Sequence, residues 1–541
     1  MKADIVLSSE AVFTGLEDKP RPLAVAILEN RIISVAPIEE MNTLIGEHTI
    51  IQHFGNQLIM PGFHDSHVHA MMGSLSLESV NLFSARSELE AVKIVKEFSK
   101  SIPENDWIIG FMWDSSYWEN KKFPTRFSLD EVFPNRPVVL FHAEGHYTWV
   151  NSKALNIANI NKQTKNPPNG IIERSSNGEP TGILIEEASS LITKYAYDFT
   201  KDKKRELFRG FLKEASRNGV TSVNNLYGTE TLSLLDDFEI FKEFELKDEL
   251  PVRMHLYPVL NGDIKEALHL RERYQSDKLR VSGLKQFIDG VVTSRTAFML
   301  EPYSDSPETF GLPAHSIEDL KNWVVDADYH GFNIRFHAIG DAAIRLALDS
   351  YENAQNINGK RDSRHSIEHI EVIHPDDISR FATLGVIASM QPDHFALSER
   401  ETYTERIGPK REKYVFAINS IKKTGAQLSF GTDFPIDSFN PLLQIYRAIT
   451  RIDSSGKAVW IPEECITLSD ALKAYTYGSA FGTSREQELG TILEGKLADI
   501  VVLDRNLFQM QKEEILEASV QMTISDGKIV YLKDKTLSTI K

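Results

Sequence analysis

A single cysteine, Cys465, stands in a chain of 541 residues, which excludes an internal disulfide and a thiolate metal cluster. Cys465 itself reads as a small apolar filler. No run approaches the roughly 20 uninterrupted apolar residues that a membrane-spanning helix needs. The opening segment, MKADIVLSSEAVF, lacks the apolar core and small-residue cleavage site of a secretory signal. Cations are in deficit, 60 Lys and Arg against 77 Asp and Glu, for a formal charge of −17. Nucleic-acid and anionic-membrane binders cluster Lys and Arg, so both classes are disfavoured. Low-complexity tracts are also missing. The expectation is a soluble, cytoplasmic protein that acts on a small molecule, with no nucleic-acid or membrane partner. The sequence is silent on assembly, and base rates alone point to a homodimer.

What is present divides into ends and middle. Residues 3–8, 22–36, 498–504 and 519–532 are short β-rich runs, and Asp526-Gly527 is a strong hairpin turn signal. They predict one small β-sandwich built from both termini, residues 1–60 plus 485–541. The middle alternates short apolar strands with amphipathic helices, the pattern of a parallel α/β unit. Strand candidates are Leu58–Gly62, Gly219–Asn225, Val252–Pro258, Gly283–Asp289, Asn333–His337, Ser366–His369, Gly385–Gln391 and Gln427–Asp433. Eight is the number that closes a TIM-type (β/α)8 barrel, here placed at 61–484. An insertion of about residues 70–205 follows the first strand, where barrel enzymes build lids and pockets.

Ligand-type side chains fall where these strands stop. In PGFHDSHVH, an apolar run leads into His67-x-His69, and residues i and i+2 of an extended chain point to one side. Two imidazoles so placed can chelate a divalent ion. His337 ends GFNIRFH, His369 ends RHSIEH, and Asp433 ends GAQLSFGTD. Any one of these alone fits a structural role; four in one barrel-like pattern point to a metal site.

The ordered set His-x-His, Lys, His, His, Asp resembles the amidohydrolase superfamily. PGFHDSHVH, FHAEGHYTWVNSKAL, GEPTGILIEEA, LKQFIDGVVTSRTA, FHAIGDAA, IEH, SMQPDH, FGTDFP and LEGKLADIVVLD resemble its branch of YtcJ-like and N-substituted formamide deformylase-like proteins. The resemblance implies two divalent metal ions, with zinc the expected element. His67, His69 and Asp433 would hold one, His337 and His369 the other, and a carbamylated Lys285 would bridge them. It further implies hydrolysis of a C–N bond of an amide, an N-substituted formamide or an N-acyl compound. A metal-bridging hydroxide would attack the carbonyl, with Asp433 as general base and then general acid. His146 would face the site and bind the carbonyl oxygen.

Substrate contacts are expected from Trp113, in an aromatic run of the insertion, with core packing as its alternative. They are also expected from Asp289 and Arg295 after Lys285, with support of a ligand from behind or a loop salt bridge as theirs, and from Gln391 and His394 in SMQPDH. Asp341 is expected to orient His337 or to favour the next helix start. Deaminase, lactonase or phosphoesterase chemistry on the same fold is the alternative. A deaminase usually has a Glu near the fifth-strand His, whereas AIGD follows His337. Glu368 adjoins His369 and is expected to point to the opposite side. A non-catalytic scaffold is the alternative of another class; it typically loses ligands, and every ligand position is filled here.

Overall fold

The computed structural model describes residues 2–533 other than 144, 169, 228–234, 236, 398–399 and 457. The end of the 485–541 segment therefore lies outside the described residues.

Strands from both termini join one eight-stranded sheet. The front of the chain supplies Ile5–Val12, Arg21–Leu28, Arg31–Ala36, Ile50–His53 and Leu58–Pro61, and the end supplies Ile500–Leu503, Val520–Ser525 and Lys528–Leu532. The two groups meet where Met60 lies opposite Val501 in an antiparallel pairing. Alternation sends Ile5, Leu7, Val25, Ile27, Val502 and Ile524 into one apolar cluster, and Val6, Ala24 and Ala26 into another. At the Asp526-Gly527 turn both residues take positive φ, 53° and 74°, as a two-residue hairpin of this hand requires.

Leu58–Pro61 belongs to this terminal sheet, which corrects the expectation that it opens the barrel-type unit. Its apolar run signals burial, and burial does not reveal which sheet a strand joins. The parallel strands begin just after Gly62. They are β1 (Phe63–Val68), β2 (Val220–Leu226), β3 (Arg253–Tyr257), β4 (Gly283–Phe287), β5 (Asn333–Ala338), β6 (Ser366–His369), β7 (Ile387–Met390) and β8 (Leu428–Phe430). Pairing follows chain order from β1 to β3 and from β4 to β8. Leu279–Val281, which leads into β4, pairs with β3, and Val259 bridges Lys285. Val68 on β1 bridges Phe434, beyond β8.

Amphipathic helices cover these strands. Asp341–Asn358 buries Ala343, Ile344, Ala347, Leu348, Tyr351 and Ala354, an i, i+3/i+4 stripe. Lys201–Arg217 buries Leu207, Phe208, Phe211, Leu212 and Ala215 in the same manner. Between β1 and Lys201, the chain builds a second sheet of six strands with its own core around Trp113, Trp118 and Trp149. No described helix is long and apolar enough to cross a membrane.

Candidate metal centre

The C-terminal ends of the parallel strands bring the ligand-type residues together. His67 lies in β1, His69 just beyond it, Lys285 in β4, His337 in β5, His369 at the end of β6 and Asp433 past β8. The Asp433 amide donates to the His67 carbonyl at 2.7 Å. Gly431 permits that approach, because a Cβ there would lie 2.5 Å from the His67 nitrogen. Asp65 locks the same junction: buried, it accepts from the amides of His67 and Thr432 and from the Tyr475 hydroxyl.

Both imidazoles of the His-x-His pair are oriented from behind. His67 Nδ1 donates to Glu368 Oε2 at 2.8 Å, and His69 Nδ1 donates to the Leu226 carbonyl at 2.9 Å. Each ring thereby keeps the Nε2 lone pair, and those nitrogens lie 3.2 and 3.1 Å from Asp433 Oδ1.

Glu368 points into the site, contrary to the expectation from strand alternation. The reason is local: His369 and Ile370 have φ of 74° and 54°, so the extended pleat ends at Glu368 and neighbouring side chains both turn inward. Asp433 shares this left-handed backbone, with φ of 59°. Such conformations cost on the order of 1–3 kcal/mol each and persist where the surroundings enforce them. Glu368 also lies 3.5 Å from the fully buried Arg335.

Lys285 is fully buried, and its Nζ has no hydrogen-bond partner. Burial, opposed by Glu368 and Asp433, brings its ammonium down to about 8. Burial likewise pushes His67, His337 and His369 well below the usual histidine range, so these rings are neutral and carry lone pairs. His394 goes the other way: burial lowers it, but the Glu371 hydrogen bond and the Asp433 charge outweigh that effect.

Two groups of three ligand atoms fall within 4.8 Å of one another, His67–His69–Asp433 and His369–His394–Asp433. The first matches the set expected from the sequence. The second has His394, expected as a substrate contact, where His337 was expected. His337 Nε2 donates to the Gly290 carbonyl at 3.3 Å, which leaves Nδ1 as its lone-pair nitrogen. Its ring lies 4.5 Å from that of His369. Lys285 Nζ, His369 Nδ1, His394 Nε2 and Asp433 Oδ1 are all buried without hydrogen-bond partners. Buried polar atoms normally find partners, so a cluster of buried, unpartnered ligand atoms fits a divalent cation.

The remaining expected residues divide. His146 reaches the site from the insertion, its ring 5.8 Å from His337, with Nδ1 donating to Glu186 Oε2 at 2.8 Å. Gln391 is buried 3.4 Å from His67 Nδ1, among the ligands. Asp289 is engaged elsewhere: its oxygens accept from the amides of Phe298, Ile339 and Gly340, which fixes a loop and leaves no free face for a substrate. Trp113 is fully buried, donates to the Leu140 carbonyl and packs on Trp118 and Trp149, so it forms core and not a pocket wall. Arg295 is partly exposed and paired with Asp305 at 2.6 Å. Asp341 begins its helix and accepts from the Leu300 amide. Glu186 and Glu368 were not singled out as partners of site histidines. Both lie in segments already conspicuous by motif, but only the fold pairs them with His146 and His67.

The model of the amidohydrolase family matches residues 55–531. The Arabidopsis thaliana protein LONG AFTER FAR-RED 3 is 33% identical over 98% of this chain and 92% of its own length. The N-substituted formamide deformylase of Arthrobacter pascens is 26% identical over 94% of each chain. Among solved structures, an uncharacterized metal-dependent hydrolase from Pyrococcus horikoshii superposes with a TM-score of 0.75, at 27% identity, covering 94% of this chain and 99% of that one. These likenesses support a hydrolase that depends on a divalent metal. With the family model spanning nearly the whole length and the ligand set gathered at one place, the chain belongs to the amidohydrolase family.

Proposed function

We propose that this protein hydrolyses the C–N bond of a small-molecule amide, with N-substituted formamides and short N-acyl amides as the substrate class. The observation that carries the reading is the convergence of buried, unpartnered ligand atoms from β4, β6 and the segments after β7 and β8. The named activity of the Arthrobacter pascens relative supports the choice of amide. We read the ring of parallel pairings as a closed (β/α)8 barrel over residues 61–484, with the terminal sheet folded as a sandwich beside it.

The residues fit two divalent ions, with zinc the first candidate. His67, His69 and Asp433 would hold one, and His337 and His369 the other, with His394 close enough to substitute. A divalent ion bound there supplies Lewis acidity and lowers the pKa of a water to about 7. Lys285 suits carbamylation because burial makes its neutral amine accessible near pH 8. The amine forms an N–C bond with CO2 and loses one proton, and the resulting carbamate would serve as an anionic ligand for the ions.

Asp433 takes the proton from the attacking water as the water oxygen adds to the carbonyl carbon. It returns that proton to the leaving nitrogen as the C–N bond breaks. Glu186 orients His146 through Nδ1, and His146 steadies the carbonyl oxygen. Burial of the centre excludes bulk water and strengthens each of these interactions.

The test compares wild type with Asp433→Asn in zinc-supplemented buffer on a panel of N-formyl, N-acyl and cyclic amides, with ester and phosphoester counterparts, following amine, alcohol, phosphate and acid release. Turnover that disappears in the variant is expected. Equal rates in both proteins would overturn the proton-transfer role, and turnover of esters or phosphoesters alone would overturn the amide assignment.

A further inference from the structure

The run IDGVVTSRTA, residues 288–297, follows β4 directly, and its loop bonds to the centre's histidines on two sides. On one side the Gly290 carbonyl accepts from His337 Nε2 at 3.3 Å. On the other the Thr296 hydroxyl donates to Glu186 Oε1 at 2.9 Å, and Glu186 Oε2 accepts from His146 Nδ1 at 2.8 Å. The Val291 carbonyl, the other acceptor in reach of that hydroxyl, is farther off at 3.4 Å. A hydroxyl has one proton and a carboxylate only accepts, so the Thr296 proton serves Glu186.

The loop is built to hold this bond. The Gly290 amide donates to the Thr296 carbonyl at 3.3 Å, and the Thr296 amide donates to the Val291 carbonyl at 3.1 Å. The Val291 amide donates to Thr296 Oγ1 at 3.0 Å, and Ser294 Oγ lies 2.6 Å from the same oxygen. A Cβ on Gly290 would overlap the Thr296 hydroxyl and stand 2.6 Å from Glu186 Oε1, so only glycine leaves room there.

The insertion meets the loop with an equally constrained partner. Glu186 ends the strand Pro180–Glu186 with φ of 52°, a conformation that a non-glycine residue keeps where its surroundings enforce it. Its amide donates to the His146 carbonyl at 2.8 Å. Glu186 therefore grips His146 by backbone and side chain together, and Thr296 fixes the carboxylate that does so.

We propose that Thr296 is a positioning residue for the reaction. Through Glu186 it ties His146 to the loop whose Gly290 carbonyl also holds His337. The loop thereby sets the separation of the two rings, 5.8 Å, between which the substrate carbonyl is received. A partner behind a working group acts by fixing its direction, and small misplacements of such a group are costly to the reaction. The proposal rests on the amide-hydrolase reading only for what His146 binds.

Methylphosphonate, a tetrahedral anion with the shape of the hydrolytic intermediate, tests this without turnover. Calorimetry on the zinc-loaded protein would compare wild type, Thr296→Val, Thr296→Ser, His146→Ala and the double variant Thr296→Val/His146→Ala. Thr296→Val removes the donor and is expected to weaken phosphonate binding on the order of tenfold. Thr296→Ser should restore most of that loss, and zinc affinity should equal wild type in both. In the double variant the Thr296 effect should vanish, because a residue that acts through His146 has nothing left to act on. Glu186→Gln breaks the same chain at its next link and should show the same loss, which keeps the test decisive if Thr296→Val unfolds. Undiminished binding in Thr296→Val, a Thr296 effect that persists in full without His146, or a wild type that does not bind methylphosphonate would each overturn the proposal. Failure of every amide to turn over, with the phosphonate pattern as expected, would count against the hydrolase reading and leave the positioning role standing.

Discussion

His67 offers Nε2 to the centre because Glu368 occupies the opposite side of its ring, and Arg335 in turn lies against Glu368. That chain fixes a tautomer and an orientation, which packing alone would not do for a ring that can flip. Glu368→Gln keeps the volume but offers an amide that can donate to Nδ1 and invert the tautomer. The expected effect is a loss of zinc affinity of about 10–100-fold, measured by competition with a chelator of known affinity. Affinity equal to wild type would show that His67 is positioned by its strand and not by the carboxylate. Lys285 makes a second residue-scale point. Its low ammonium pKa comes from burial, which no local pattern in LKQFIDG announces, although the resemblance already marked the position.

The loop after β4 is joined to the turn that leads into the helix at Asp341 by Asp289, whose carboxylate accepts from the Phe298 amide of the loop and from the Ile339 and Gly340 amides of the turn. Asp289→Ala leaves those amides buried and unpaired at roughly 1–3 kcal/mol each. A clear fall in the urea midpoint is therefore expected. An unchanged midpoint with a raised KM for a turned-over amide would restore the substrate-anchor role. Elements of this kind show what the sequence discloses. Strands β2 to β8 lie within a few residues of their expected positions, because short apolar runs bounded by Gly, Pro or charge mark both ends. The His-x-His pair and Asp433 were legible for the same reason: each follows such a run. Glu368 was not, because its direction depends on the left-handed φ of His369, and no residue type at 369 or 370 signals that conformation. Trp113 left two readings open, pocket wall and core. An aromatic run looks alike whether it lines a pocket or fills a core, and here the second sheet needed it as core.

At the scale of the whole molecule, Arg253 on β3 is buried between two carboxylates of the terminal sheet, Asp499 at 2.8 Å and Asp526 at 2.9 Å. Residues more than 240 positions apart in sequence thus share one ion cluster, which couples the terminal sheet to the strands that carry the metal centre. Removing the cation leaves the buried Asp499 without its guanidinium and Asp526 with Lys278 alone, and breaking a buried pair costs up to about 3–5 kcal/mol. Arg253→Met is therefore expected to lower the urea midpoint strongly. The same cluster gives an acid signature. Burial pushes the Asp526 carboxyl up, but Arg253 and then Lys278 outweigh it and hold the group at about 2, below its ordinary 3.8. A carboxyl with a depressed folded pKa stabilises fully above its unfolded value and loses that contribution as pH falls toward the folded one. Wild-type stability should therefore decline between pH about 4 and about 2 more steeply than that of Arg253→Met, read from urea midpoints at stepped pH. Parallel acid curves for the two proteins would mean that the cluster contributes packing but no net electrostatic stability. Coupling of the sheet to the parallel strands would then have to run through the apolar cluster that Val501 and Leu503 share with Phe63 and Val220.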